Sequence, residues 1–280
     1  MCLFLSFTAY SQITSTQNGN WSATSTWAGG SVPGASDAVV IAHDVSCAST
    51  QSAASLTVNS GKTLTLTKDG ALTVVGAVTN NGTVVVTGSE NESGSLIATS
   101  ADSFNLTYNL YIPASEWKLV GIPVSGLTVN DIDDNLATNG SKVGIGFYDS
   151  ETASCSVFLS SQTSASISQT RGYEMMHASG GVVAFTGALR ASNRSTIATY
   201  NSKWALLGNP YPSYLRLSDD ATDASGTNYF LNTTHLSYLK NTHQAVYGWD
   251  GTAYDTYSND AGTLDPVSYT HLTLPTNREV

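Results

Sequence analysis

Apolar positions recur along the first third of the chain as short triplets. Leu56-Thr57-Val58, Leu64-Thr65-Leu66 and Leu72-Thr73-Val74 repeat at steps of eight, and Val84-Val85-Val86 and Leu96-Ile97-Ala98 follow at steps of twelve. The outer residues of each triplet are apolar and the middle one is usually Thr, the alternation of a strand with one face in and one face out. Gly61, Gly70, Gly76, Gly82, Gly88 and Gly94 punctuate the intervals, as does the turn Asn80-Asn81-Gly82. Short strands at short, regular spacing predict coils of a right-handed parallel β-solenoid, although sandwich hairpins give similar spacing. So few coils need a cap. Steps of eight and twelve leave open how many strands make one coil.

Beyond residue 103 the pattern changes. Phe104, Leu106, Tyr108, Leu110 and Ile112 alternate strictly, and so do stretches around Val143–Tyr148, Val157–Leu159, Val182–Phe185 and Ile197–Tyr200. With Gly, Pro and Asn turns between them, these predict an antiparallel β-sandwich or jelly-roll-like domain. Short helical pieces are expected near Val129–Leu136 and Tyr229–Leu236. The fold class expected is therefore all-β. Residues 12–102 form a cap and a short solenoid, and residues 103–266 a sandwich.

The ends read differently. Residues 1–11 are a short apolar run closing on Ala9-Tyr10-Ser11, the back half of a secretory signal peptide with a mature start near Gln12. The run is too short for a transmembrane span, which needs about 20 apolar residues. Residues 267–280 resemble the translated read-through of a sequencing-library adapter at the end of an assembled contig. They are expected to be a non-native tail on a fragment whose natural chain continues past about Pro266, so His271, Arg278 and Glu279 carry no functional weight.

Composition narrows the function. Eleven Lys and Arg stand against 21 Asp and Glu in 280 residues, a net charge of −10. Nucleic acid and anionic membranes both demand clustered positive charge, so neither is an expected partner. Ser (38) and Thr (35) make up about a quarter of the chain, which suits a secreted scaffold, and a monomer is expected. After removal of Cys2, Cys47 and Cys155 remain. They lie far apart in the sequence and are expected as two buried free thiols.

The segment before the repeat carries a resemblance. It reads Gly19-Asn20-Trp21, then Trp27-Ala28-Gly29-Gly30-Ser31-Val32-Pro33-Gly34, then Asp37-Ala38-Val39-Val40-Ile41. This is similar to the start of short β-solenoid modules in large secreted surface proteins of Gram-negative bacteria, of the kind exported by the type IX secretion system. Further on, Trp117-Lys118-Leu119-Val120-Gly121-Ile122-Pro123 recurs as Trp204-Ala205-Leu206-Leu207-Gly208-Asn209-Pro210, a shared W-x-L-[VL]-G-x-P. With Arg171-Gly172-Tyr173-Glu174, Gly181–Gly187 and Val246–Tyr254, it resembles the β-rich module that follows the solenoid in those proteins. The resemblance covers roughly residues 18–262. It implies a non-catalytic, adhesin-like structural module of a larger protein, secreted or on the outer cell surface.

The search for chemistry finds few convergent groups. A polysaccharide lyase needs a long groove with basic residues, yet residues 45–100 hold only Lys62 and Lys68 as bases. Paired carboxylates for glycoside hydrolysis would come from Glu116, Asp149, Glu151 or Glu174, none in an assignable motif, and Glu174 is expected to face outward. His43, His177, His235 and His243 lack metal-ligand spacing. Asp131, Asp133 and Asp134, and separately Asp219, Asp220 and Asp223, are oxygen-rich enough to raise calcium as a cofactor. The rival reading of each is a solvated or capping loop. No catalytic residue and no other cofactor is assigned. Aromatic side chains beside Asp or Asn are what sugar-binding surfaces use. Trp249 and Tyr254 flank an expected two-residue Asp250-Gly251 turn, and Tyr211 and Tyr214 flank Pro212. These four are candidate glycan-stacking residues, which keeps two alternatives open: a carbohydrate-binding module, or a non-catalytic appendage of a polysaccharide-degrading enzyme. Asn209-Pro210-Tyr211-Pro212 is expected to fix a tight turn, with a cis peptide as one way of doing so.

Overall fold

A computed structural model describes residues 11–89, 92–99, 104–189, 205–215, 245–249 and 254–258. Strands dominate, and the helical pieces among the described residues are five single 3₁₀ turns. The first coil holds β1 (Ser11–Thr14) and β2 (Gly19–Asn20). The second holds β3 (Asp37–Ile41), β4 (Val45–Cys47) and β5 (Thr50–Ala53). The third holds β6 (Ser55–Val58), β7 (Thr63–Leu66) and β8 (Ala71–Val74). The fourth holds β9 (Val78–Asn80), β10 (Thr83–Thr87) and β11 (Ser95–Ala98). The result is a parallel solenoid of about four turns.

Its three faces are β1-β3-β6-β9, β2-β4-β7-β10 and β5-β8-β11. Val39 pairs with Leu56 and Leu56 with Val78; Leu66 lies between Cys47 and Val86; Leu72 pairs with Leu96. Like thus stacks on like, and each triplet buries its outer residues, as in the buried Leu64 and Leu66 flanking half-exposed Thr65. The steps of eight therefore run around the coil, from one face to the next, and three strands make one coil. Where the chain turns a corner, coils approach too closely for a side chain. A methyl group on Gly70 would land on the carbonyl of Cys47, in the coil beneath.

Both ends of this stack are filled from within the chain. At the start, Trp21 and Trp27 are buried edge to face, 5.1 Å apart at 67°, and Trp27 Nε1 donates to the Trp21 carbonyl at 2.7 Å. At the far end, β12 (Asn105–Ile112) adds to β10 in parallel, and β18 (Gly181–Ala188) then pairs with β12 antiparallel along eight residues. One six-stranded sheet thus passes from solenoid to antiparallel structure without a break.

A second antiparallel sheet contains β13 (Lys118–Val120), β14 (Thr138–Asn139), β15 (Lys142–Asp149), β16 (Ser154–Leu159) and β17 (Tyr173–Met175). Its order is β13-β17-β15-β14, with β16 on β15. Ile145, Tyr173 and Met175 from this sheet and Leu110, Ile112 and Phe185 from β12 and β18 belong to the same buried cluster as the solenoid rows. A hairpin of β19 (Ala245–Trp249) and β20 (Tyr254–Ser258) completes the described chain. The helix expected near Val129–Leu136 is two 3₁₀ turns, Val129–Asp131 and Asp133–Asn135. Residues 1–10, 197–200, 229–236 and 267–280, on which other expectations rest, lie outside the described residues. Gln12, the expected mature start, lies within β1. No helix among the described residues is long and apolar enough to cross a membrane.

Candidate functional site

The two copies of W-x-L-[VL]-G-x-P meet. A Cβ on Gly208 would lie 3.0 Å from Gly121 Cα, and one on Gly121 would lie 2.6 Å from Asn209 N, so both positions need glycine for contact. Both copies also flank one segment. Val120 pairs with Tyr173 in β17, while Leu207 bridges Arg171 just before it. Backbone bonds from Gly172 N to Leu206 O at 2.9 Å and from Gly208 N to Thr170 O at 3.1 Å hold the second copy in place.

From there residues 209–215 run as a strap to the solenoid. Asn209 is buried, and its side chain folds the strap on itself: Nδ2 donates to Ser213 O at 2.7 Å, and Oδ1 accepts Tyr211 N–H at 3.1 Å. Gln169 Nε2 donates to Pro210 O at 3.4 Å. The tight turn is thus made by an Asn side chain, and the described residues hold no cis peptide bond. Pro212 O accepts Leu96 N–H at 2.7 Å. The Tyr214 hydroxyl accepts Ser93 N–H at 3.0 Å and donates to Ser93 O, while Ser93 Oγ and the Tyr108 hydroxyl are 2.7 Å apart.

Of the four aromatic candidates, Tyr211 and Tyr214 are therefore half-buried members of this strap. The Tyr214 hydroxyl is committed to Ser93. Trp249 and Tyr254 are cross-strand partners at the end of the β19–β20 ribbon. The Asp250-Gly251 turn expected between them lies outside the described residues.

The Asp131 carboxylate caps a 3₁₀ turn. Its Oδ2 accepts from Thr128 N at 2.7 Å and from Thr128 Oγ1 at 2.8 Å, and these bonds hold the group below its usual range. Asp133 opens the next turn, and Asp134 is exposed. Among the described residues no three His, Cys, Asp or Glu side chains gather as a metal site. Asp219, Asp220 and Asp223 lie outside the described residues, as do His235 and His243. His43 Nδ1 lies 2.9 Å from Ser15 O, and buried His177 accepts Ser179 N–H through Nδ1 at 3.2 Å.

Two arrangements on the second sheet were not foreseen. The Arg171 guanidinium sits 3.9 Å above the Phe147 ring and donates to Tyr148 O at 3.2 Å. Across the strands, Glu174 alternates with buried Tyr173 and Met175 and so faces away from the core as expected, yet it is half-buried there. Its carboxylate occupies the space that a side chain on Gly146 would fill. Burial raises its pKa, and a hydrogen bond with the Cys155 thiol opposes that rise. Cys155 is itself raised, by burial first and by Glu174 next. Cys47 is free and buried as expected, whereas Cys155 is free but exposed, because it sits near the start of β16 at the sheet margin. Burial raises the Cys47 thiol. Raised thiols are poor nucleophiles at neutral pH, so neither is primed for chemistry.

No family model, no curated protein and no solved structure matches the chain.

Proposed function

We propose that the chain is a non-catalytic structural module of a secreted or cell-surface protein of a Gram-negative bacterium, an adhesin-like spacer that holds other parts at a fixed distance. The observation that carries this reading is the continuous sheet β2-β4-β7-β10-β12-β18, which joins the solenoid to the antiparallel part. A spacer needs such a rigid joint, and an enzyme does not. Stacked apolar rows supply stiffness, and outward Ser and Thr supply a neutral, water-bound surface. Export by the type IX route belongs to the same proposal and rests on the sequence resemblance. Antibody labelling of intact cells expressing the gene tests it. Surface label that is lost on protease shaving, with no turnover of polysaccharides by the purified chain, is the expected result. Label confined to lysed cells, or turnover, overturns it.

A second reading rests on the register of the last hairpin, which sets Trp249 opposite Tyr254. Paired aromatic positions on a two-stranded ribbon suit a glycan platform. In this reading the module binds an extracellular glycan, and the double substitution Trp249→Ala, Tyr254→Ala abolishes retention on a glycan array.

A further inference from the structure

The solenoid's faces end differently. One face is prolonged by β12 and β18, but among the described residues the face β5-β8-β11 has three strands. β11 turns its odd-numbered amide of Ser95 toward the preceding coil, where it donates to Gly70 O at 2.9 Å; Thr99 N, just after the strand, likewise donates to Val74 O at 3.0 Å. The even-numbered amide of Leu96 points the other way, to the open edge. An open strand edge is a template for adding another strand. Here the Leu96 amide is taken by Pro212 O, from 116 positions further along the chain.

The residue that takes it suits the task. Proline has a carbonyl to accept the edge amide and no N–H with which to continue a ladder. On one side of it, Asn209 fixes the loop through Tyr211 N and Ser213 O. On the other, Tyr214 grips both backbone groups of Ser93. The strap is rooted in the second sheet by the bonds of Leu206 and Gly208 to Gly172 and Thr170. Its grip on the solenoid includes three hydrogen bonds, to the backbone of Ser93 and Leu96.

We infer that Asn209–Tyr214 is a backbone clamp. It closes the C-terminal edge of the three-stranded face and opens as a unit, releasing Ser93 and Leu96 while both sheets stay folded. Short segments with few backbone bonds open far more often than the strands they cover.

Hydrogen exchange on the whole chain tests this with two variants. Tyr214→Phe removes only the hydroxyl that grips Ser93, and Asn209→Ala removes the internal brace. In both, exchange in residues 93–98 is expected to quicken by about tenfold, the effect of losing one or two hydrogen bonds in a local opening. Exchange in β7 and β10 is expected to stay unchanged. Equal quickening throughout the chain would show that the strap is an inseparable part of the core and would overturn the inference. Unchanged protection at 93–98 in both variants would overturn it as well.

Discussion

The two tryptophans at the solenoid's start look alike in sequence but differ in what they bond. Trp27 Nε1 donates to Trp21 O, whereas Trp21 Nε1 is buried with no hydrogen-bond partner among the described residues. Trp27→Phe therefore loses a bond and strands a buried carbonyl, while Trp21→Phe removes a donor that was already unsatisfied. Both leave a cavity, so the difference isolates the hydrogen bond. Trp27→Phe is expected to be the more destabilising by about 1–2 kcal/mol in urea denaturation. Glu174 makes a second prediction. Its pKa is raised in the folded protein, so the folded state binds more protons than the unfolded one as the group titrates. Stability contributed by this residue is full below the ordinary carboxylate value and declines as pH rises through the raised one. Glu174→Gln keeps an acceptor for the Cys155 thiol and removes the charge. It is expected to be more stable than the parent at pH 7 and to converge with it near pH 4, as read from urea midpoints at the two pH values.

At the scale of elements, the triplets announced their strands and their buried faces. Leu56, Leu64 and Leu72 are all buried, and the Thr between each pair of apolar residues is not. Their neighbours could not be read, because each strand pairs with one three strands away and the eight-residue spacing describes the path around the coil. The strict alternation of β12 was equally plain, but not that it would serve as the solenoid's next strand as well as a partner of β18. The repeated W-x-L-[VL]-G-x-P was visible, whereas the contact of Gly121 with Gly208 depends on the route of the intervening chain. Glu174 alternates with buried Tyr173 and Met175 and so faces away from the core, as its place on a strand predicts. Periodicity could not show that Gly146 and Cys155, on neighbouring strands, leave it half-buried on that face. The stacked rows give the element-scale prediction. Leu66→Ala, between Cys47 and Val86, is expected to cost about 2–5 kcal/mol, while the outward Thr65→Ala stays within about 0.5 kcal/mol. Parallel thermal melts of the two variants check this.

For the whole molecule, the question is whether the solenoid and the antiparallel part behave as one body. The six-stranded sheet crosses from one to the other, their buried side chains form one cluster, and the strap ties residues 209–215 back to residues 93–96. A spacer function depends on that continuity, since a hinge at residue 103 would let the two parts swing freely. Cooperative unfolding is the thermodynamic form of the same statement. Scanning calorimetry of the chain is therefore the most direct test. The account predicts a single transition whose calorimetric and van't Hoff enthalpies agree. Two separate transitions, one for the solenoid and one for the antiparallel part, would contradict it.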